Sequence, residues 1–388
     1  MEQPQTAKEL EETNVIDPEE NEDDALGPPS AEGSLRYFGV DFDVEGLVRR
    51  FQRKELIIPR FDPEETDNKS TGYAGFQRDF VWKKRQMDRF IESILRGYPV
   101  PGIFLVELIS RQYIVLDGQQ RLTTLRAFYD GAMPGDESKE FILEHVADSF
   151  KGRSYQTLEE ADRRVLNNAL IQATVTLPVG NDGKLAIYTL FERINSGGTQ
   201  LKDQQIRVAI YTGDGTKLVR RLNNDPNWRR LFGPRNRDLR DQELILRYLA
   251  LKKVAAEIKV HGPTGVAKFT PPMATFMTKY LGDHEQISFE AQEREVAEFA
   301  AACELLVSAA GDDALKRNRS INAARADSIL SGLTLVIREN PSLGVNRVSR
   351  AMRELEEDDD FVGSTQKSTS HRSSVLLRLT AALNHFSG

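Results

Sequence analysis

Apolar positions along this chain change their rhythm part-way. Over residues 83–96 (KKRQMDRFIESILR), Met87, Phe90, Ile91, Ile94 and Leu95 recur at helical spacing, which predicts one amphipathic helix. Gly97 suits the position just past its end, and Pro99 and Pro101 forbid continuation. Two β-rich runs follow, 103–108 (IFLVEL) and 113–116 (YIVL), joined by a short polar turn. They predict an antiparallel hairpin. The second run leads directly into Asp117-Gly118-Gln119-Gln120-Arg121 and then a helix that buries Leu122, Leu125, Phe128 and Tyr129. Residues 171–177 (IQATVTL) alternate apolar with polar and predict a half-buried strand. A helix at 185–194 runs into Asn195-Ser196-Gly197-Gly198, and another opens near Lys202. After about residue 215 only helical periodicity remains, with segments near 241–258, 272–281, 290–309, 322–337, 345–355 and 372–385. The expected architecture is an α+β lobe at 35–212 followed by an all-helical lobe at 213–388.

Charge adds a third segment. The 388-residue chain has a net charge of −7, but residues 1–34 alone hold 11 acidic residues and one lysine. That stretch also contains Gly27-Pro28-Pro29 and little apolar periodicity, so a disordered tail is expected. Two roles fit it: a solubilising tail, or a polyanion mimic that shields a basic groove. The other 354 residues are nearly balanced, at a net +3. Within them, 217–240 gathers Lys217, Arg220, Arg221, Arg229, Arg230, Arg235, Arg237 and Arg240 against only Asp225 and Asp238. Arginine forks match phosphate oxygens, and Trp228 offers a stacking surface, so this is a candidate DNA-binding stretch. It reads equally as a helix–loop–helix junction whose arginines pair with carboxylates elsewhere. A second basic stretch, Lys316-Arg317-Asn318-Arg319, precedes a helix, and the acidic run at 356–360 reads as an exposed loop.

Composition narrows the chemistry. No apolar run approaches the ~18 residues of a membrane-spanning helix, and the acidic start is unlike a secretory or mitochondrial leader. The one cysteine, Cys303, fits a reducing cytoplasm. The five histidines (His145, His261, His284, His371, His385) are dispersed and form no zinc-binding spacing. No Walker A motif occurs; Gly213-Asp214-Gly215-Thr216-Lys217 has the wrong spacing.

The strand–DGQQR–helix element is the strongest local feature. A strand that ends at Asp117-Gly118 and starts a helix aims unpaired backbone N–H groups over the turn, which suits an anion. Arg121 opposes the helix dipole, and clamping a phosphate would account for it. Asp117 could hold a metal ion, orient a water or cap the helix. Gln119 and Gln120 could bond a base, a sugar or a water. Two further clusters share this polar character. One is Gly75-Phe76-Gln77-Arg78 before Phe80 and Trp82. The other is the stretch from Phe191 through Arg193, Asn195 and Gly197, whose glycines could form an anion nest or merely a helix cap.

Together, FQRDFVW (76–82), IESILRGYPVPGIFLVE (91–107), VLDGQQRLTTL (115–125) and FERINSGGTQL (191–201) resemble the N-terminal domain of GmrSD-type modification-dependent restriction enzymes. The same domain occurs in SspE-type phage-defence proteins. The resemblance covers about residues 40–215. It implies a ParB/sulfiredoxin-like lobe that binds and hydrolyses nucleoside triphosphates. Asp117, Gly118, Gln119, Gln120 and Arg121 would form its loop, with Asp117, Gln120 and Arg121 as the catalytic candidates. Gln77 and Arg78 would face the loop, and Arg193, Asn195 and Gly197 would close the phosphate side. The implied ligands are a nucleoside triphosphate, with Mg²⁺ as a further candidate, and DNA through Arg220, Arg221, Arg229, Arg230, Arg235 and Arg237. Many relatives add an HNH nuclease. The last 100 residues hold only His371 and His385, in predicted helices, so this chain is expected to lack that unit and could act with a separately encoded effector or nuclease. Alternatives are a non-hydrolysing nucleotide or modified-DNA sensor, and direct nicking by the ParB-like lobe.

Overall fold

A computed structural model describes residues 35–58, 80–108, 110–180, 182–194, 202–266, 269–317 and 320–388. The acidic tail at 1–34 lies outside them. The described chain falls into two units: residues 35–194, and residue 202 onward.

The first unit is built on one sheet. Its elements are β1 (Leu35–Asp43), α1 (Val44–Gln52), β2 (Leu56–Ile57), α2 (Lys84–Leu95), β3 (Ile103–Glu107), β4 (Tyr113–Asp117), α3 (Gln119–Asp130), the ribbon β5 (Ala132–Met133) and β6 (Asp136–Glu140), α4 (Glu160–Asn168), β7 (Leu170–Pro178) and α5 (Gly183–Ile194). Among the described residues the main sheet has five strands in the order β1-β7-β3-β4-β2. β3 and β4 form the antiparallel hairpin that their composition predicts, while β7 runs parallel to β3 and antiparallel to β1.

Alternation decides which side each strand buries. Ile103, Leu105, Val115, Ile171, Ala173 and Val175 share one core with Met87, Phe90, Ile91 and Ile94 of α2 and Leu122, Leu125 and Phe128 of α3. The intervening Val106, Ile114 and Leu116 are also buried, and α5 lies against β7, β1 and β4. The sheet is thus apolar on both faces. β1 and α1 escape a reading by periodicity because β1 is an edge strand with Tyr37 and Phe38 exposed. Asp43 joins the two elements by accepting from Gly46 N at 2.6 Å as the α1 cap.

The second unit contains α6 (Asp203–Ile210), α7 (Asp214–Asn223), α8 (Pro226–Phe232), α9 (Arg240–His261), α10 (Met273–Asp283), α11 (Phe289–Ala310), α12 (Ala323–Glu339), α13 (Val345–Glu357), α14 (Asp359–Ser364) and α15 (Arg372–Ser387). α9, α12 and α15 pack mutually, and α11 packs on α12 and α13. Two expectations need correction. A short ribbon, β8 (Lys316–Arg317) with β9 (Ser320–Ile321), interrupts the helices. The acidic run at 356–360 is not a loop: Glu356 and Glu357 finish α13, and Asp358 caps α14 by accepting from Phe361 N at 2.9 Å. Its carboxylates have local uses, since Glu356 pairs with Arg325 and Asp358 with His385. Among the described residues no helix is long and apolar enough to cross a membrane.

Candidate functional site: the DGQQR turn

β4 ends at Asp117, and Gly118 turns the chain into α3 with φ +97°. Only glycine takes that backbone without strain. Space also requires it, because a Cβ here would lie 2.4 Å from Ile103 Cγ2 on β3. The turn therefore sits tightly on the start of the neighbouring strand. The amides of Gln119, Gln120 and Arg121 open α3, where a helix offers them no internal acceptor.

Arg121 folds back across this turn. Its Nη2 donates to Asp117 Oδ2 at 2.7 Å and to the Gly102 carbonyl at 2.9 Å. The arginine side chain is mostly buried, at 14% exposure, whereas Asp117 is half exposed, at 52%. Arg121 is thus a fixed cation beneath the turn, and Asp117 is the reachable charge at its rim. At this turn two buried polar atoms lack a hydrogen-bond partner among the described residues: Gln119 Oε1 and Arg121 Nε. Leaving such atoms unpaired costs about 1–3 kcal/mol each, so a ligand or water that satisfies them is favoured.

Gln120 has a different task. Its Oε1 accepts from Val81 N at 3.2 Å and Trp82 N at 3.3 Å. Trp82 is fixed in turn by an edge-on contact with Phe90, ring centres 5.5 Å apart. Gln120 therefore braces the end of the FQRDFVW segment against the DGQQR turn, leaving its NH₂ side for any ligand. The brace brings the starts of α2 and α3 together. Neither helix has an acidic residue in its first turn, and the nearest carboxylate to the α3 start, Asp117, is paired with Arg121.

The loop on the far side of α2 is anchored by a buried carboxylate that periodicity could not single out. Asp88 accepts from the amides of Glu144 and His145 at 3.1 and 3.0 Å, pairs with Lys84, and meets His145 Nδ1 at 3.1 Å. The first half of α2 is therefore held twice, by the Gln120 brace before it and by Asp88 within it.

Of the other expected site residues, Gln77, Arg78, Asn195 and Gly197 lie outside the described residues. Arg193 is exposed in the last turn of α5. Among the described residues no group of three or more His, Cys, Asp or Glu is placed to hold a metal ion.

Residues 55–212 match the family described as GmrSD restriction endonuclease, N-terminal domain. This stretch is a GmrSD-type N-terminal domain. The match begins just before β2 and ends just after α6, so the DGQQR turn, the hairpin and α2 all belong to it. No curated protein and no solved structure matches the chain.

The arginine-rich stretch lies beyond the GmrSD domain, and its side chains are largely occupied. Arg221 forms a fork with Glu293, including Nη2 to Oε2 at 2.9 Å. Arg229 donates to Asp241 at 3.0 Å and Asn223 at 2.7 Å, and lies over the rings of Trp228 and Phe232. Arg230 pairs with Asp312 at 2.9 Å, and Arg235 donates to Asn224 Oδ1 at 2.6 Å. Arg220 and Arg237 are also held by interactions within the chain. Trp228 is fully buried and its Nε1 donates to Asn223, so the expected stacking surface is a core residue instead. It packs with Phe232 and Phe299 because α8 presses its apolar side onto α11.

Proposed function

We propose that the chain is a DNA-associated, nucleoside-triphosphate-binding and hydrolysing protein of restriction-type phage defence. The observation that carries this reading is the DGQQR turn itself. A positive-φ glycine opens α3, a mostly buried arginine underlies it, a carboxylate stands at its rim, and Gln120 draws a second helix start alongside. Two helix starts side by side suit a polyphosphate. The GmrSD-type domain supplies the restriction context.

In this reading Arg121 stabilises negative charge on the phosphates while Asp117 orients the attacking water. The buried Gln119 Oε1 accepts from a ligand or water donor that completes its bonding. The donor set fits a phosphate-borne Mg²⁺. One oxygen of Asp117 is engaged by Arg121, the other is available, and such ions take their remaining ligands from phosphate and water. When bound, the ion would offset charge on the phosphates. Gln77 and Arg78 would face the loop, and Arg193, Asn195 and Gly197 would close the phosphate side.

Phosphate release across the four nucleoside triphosphates, with and without modified DNA, tests this function. The wild-type protein turns over at least one of them, and a folded Arg121→Ala protein loses about 10²–10³ in rate. Saturable binding without turnover would instead favour a nucleotide sensor, and wild-type turnover by Arg121→Ala would remove the arginine from the mechanism.

A further inference from the structure

A second cationic feature stands beside the turn. Lys83, Arg85 and Arg89 are all exposed, and among the described residues none has a carboxylate partner; the ion pairs of α2 are Lys84–Asp88 and Arg96–Glu92. Lys83 and Arg85 sit at the start of a helix, where cations oppose the dipole. Lys84 has a structural reason for that position, because it bonds Asp88 and the Ile142 carbonyl. Lys83 and Arg85 have none. Arg89 follows Arg85 one turn later, about 6 Å along the axis and on the same face. The opposite face is the buried one, with Met87, Phe90, Ile91 and Ile94. Among the described residues, the two acids of α2 itself are engaged elsewhere. Asp88 is buried within its own network, and Glu92 is taken by Arg96 and the amide of Ala147.

We propose that Lys83, Arg85 and Arg89 form a contact surface for the phosphate backbone of duplex DNA, set directly beside the DGQQR turn. The choice of DNA rests on the restriction reading above, but not on nucleotide hydrolysis. The chemistry of the stripe is that of backbone contact: three solvated cations in succession, two of them arginine forks. This surface offers DNA its cations, since the amide oxygen of Gln86 is engaged by Lys83 N at 2.8 Å. It contrasts with residues 217–240, whose cations are mostly committed within the helical unit.

The test is fluorescence anisotropy with a labelled DNA duplex over about 50 to 200 mM salt, comparing wild type, K83Q/R85Q/R89Q and R235Q/R237Q. The α2 variant should lose at least about tenfold in affinity at low salt, and its log–log salt slope should shrink by about 2–3, one cation per phosphate. The R235Q/R237Q variant should lose less. Unchanged thermal unfolding shows that the α2 variant folds, and triphosphate affinity measured on the same samples separates the two sites. Wild-type DNA affinity and slope in a folded K83Q/R85Q/R89Q protein would overturn the proposal while leaving nucleotide binding untouched. Loss of triphosphate binding with DNA binding retained would overturn it too, by assigning these cations to the nucleotide. Tighter wild-type binding to an RNA duplex, or no DNA binding even at low salt, would remove DNA as the occupant.

Discussion

The two units differ in where some of their cations go. In the helical unit, arginines are drawn inward. Arg247 and Arg378 converge on Asp327, with Arg247 Nη2 to Oδ2 at 2.9 Å and Arg378 Nε to Oδ1 at 3.2 Å, and all three are buried. This cluster ties α9, α12 and α15 together. In the α+β unit, Lys83, Arg85 and Arg89 point outward from a helix start, and Arg121 lies beneath an open turn. Linear charge density marks 217–240 as the more basic stretch, yet most of its arginines are engaged within the chain. Among the described residues, the shorter run on α2 has no carboxylate partner. Whether a cation is engaged within the fold is therefore decided by its partner, and partners lie far away in sequence: Glu293 for Arg221, Asp312 for Arg230.

The contrast predicts a graded set of effects. The largest belongs to the buried cluster. Asp327→Asn removes the buried charge that Arg247 and Arg378 share and should cost about 3–5 kcal/mol, read as a fall in the urea midpoint. The exposed K83Q/R85Q/R89Q substitutions should change the same midpoint by no more than about 0.5 kcal/mol per site. Equal losses in the two proteins would erase the distinction between the units.

An intermediate effect is expected at the turn. Gly118→Ala imposes both a left-handed backbone and a clash with Ile103, and should destabilise by more than about 1 kcal/mol. Its triphosphate affinity should fall as well, because the first α3 amides shift. A fully stable Gly118→Ala protein with intact binding would show that the turn does not need its geometry.

The smallest effect is a pH dependence of the helical unit. Burial, with Lys253 nearby, pushes the His284 imidazole below its ordinary range, while its Nδ1–H donates to the Tyr280 carbonyl at 2.6 Å. The unfolded chain then holds this proton more strongly than the folded one. Stability is complete above the ordinary histidine value and declines as pH falls from there through the lowered one. Urea midpoints should drop over that window in wild type and drop less in His284→Gln. Identical slopes would assign the titration to other groups.

Much of this organisation was legible in the chain, for identifiable reasons. α2, the β3–β4 hairpin and the long helices announce themselves because each buries one face and repeats at its own period. Strand β1 and the β8–β9 ribbon do not, because an edge strand and a two-residue ladder carry little apolar signal. Asp117, Gly118 and Arg121 stand out from the conflict between a cation and a helix start. The bracing role of Gln120 was invisible, since its partners are backbone amides 38 and 39 residues away. The burial of Trp228 was likewise hidden, because aromatic residues among arginines look alike whether they face solvent or core.

The central claim is that the DGQQR turn is where a triphosphate lodges. Hydrogen–deuterium exchange with and without a non-hydrolysable triphosphate analogue tests it most directly. The account predicts slowed exchange at the amides of Gln119, Gln120 and Arg121, extending through the Gln120 brace to Val81 and Trp82. Saturating analogue that leaves these amides unchanged, or protects only the helical unit, would contradict it.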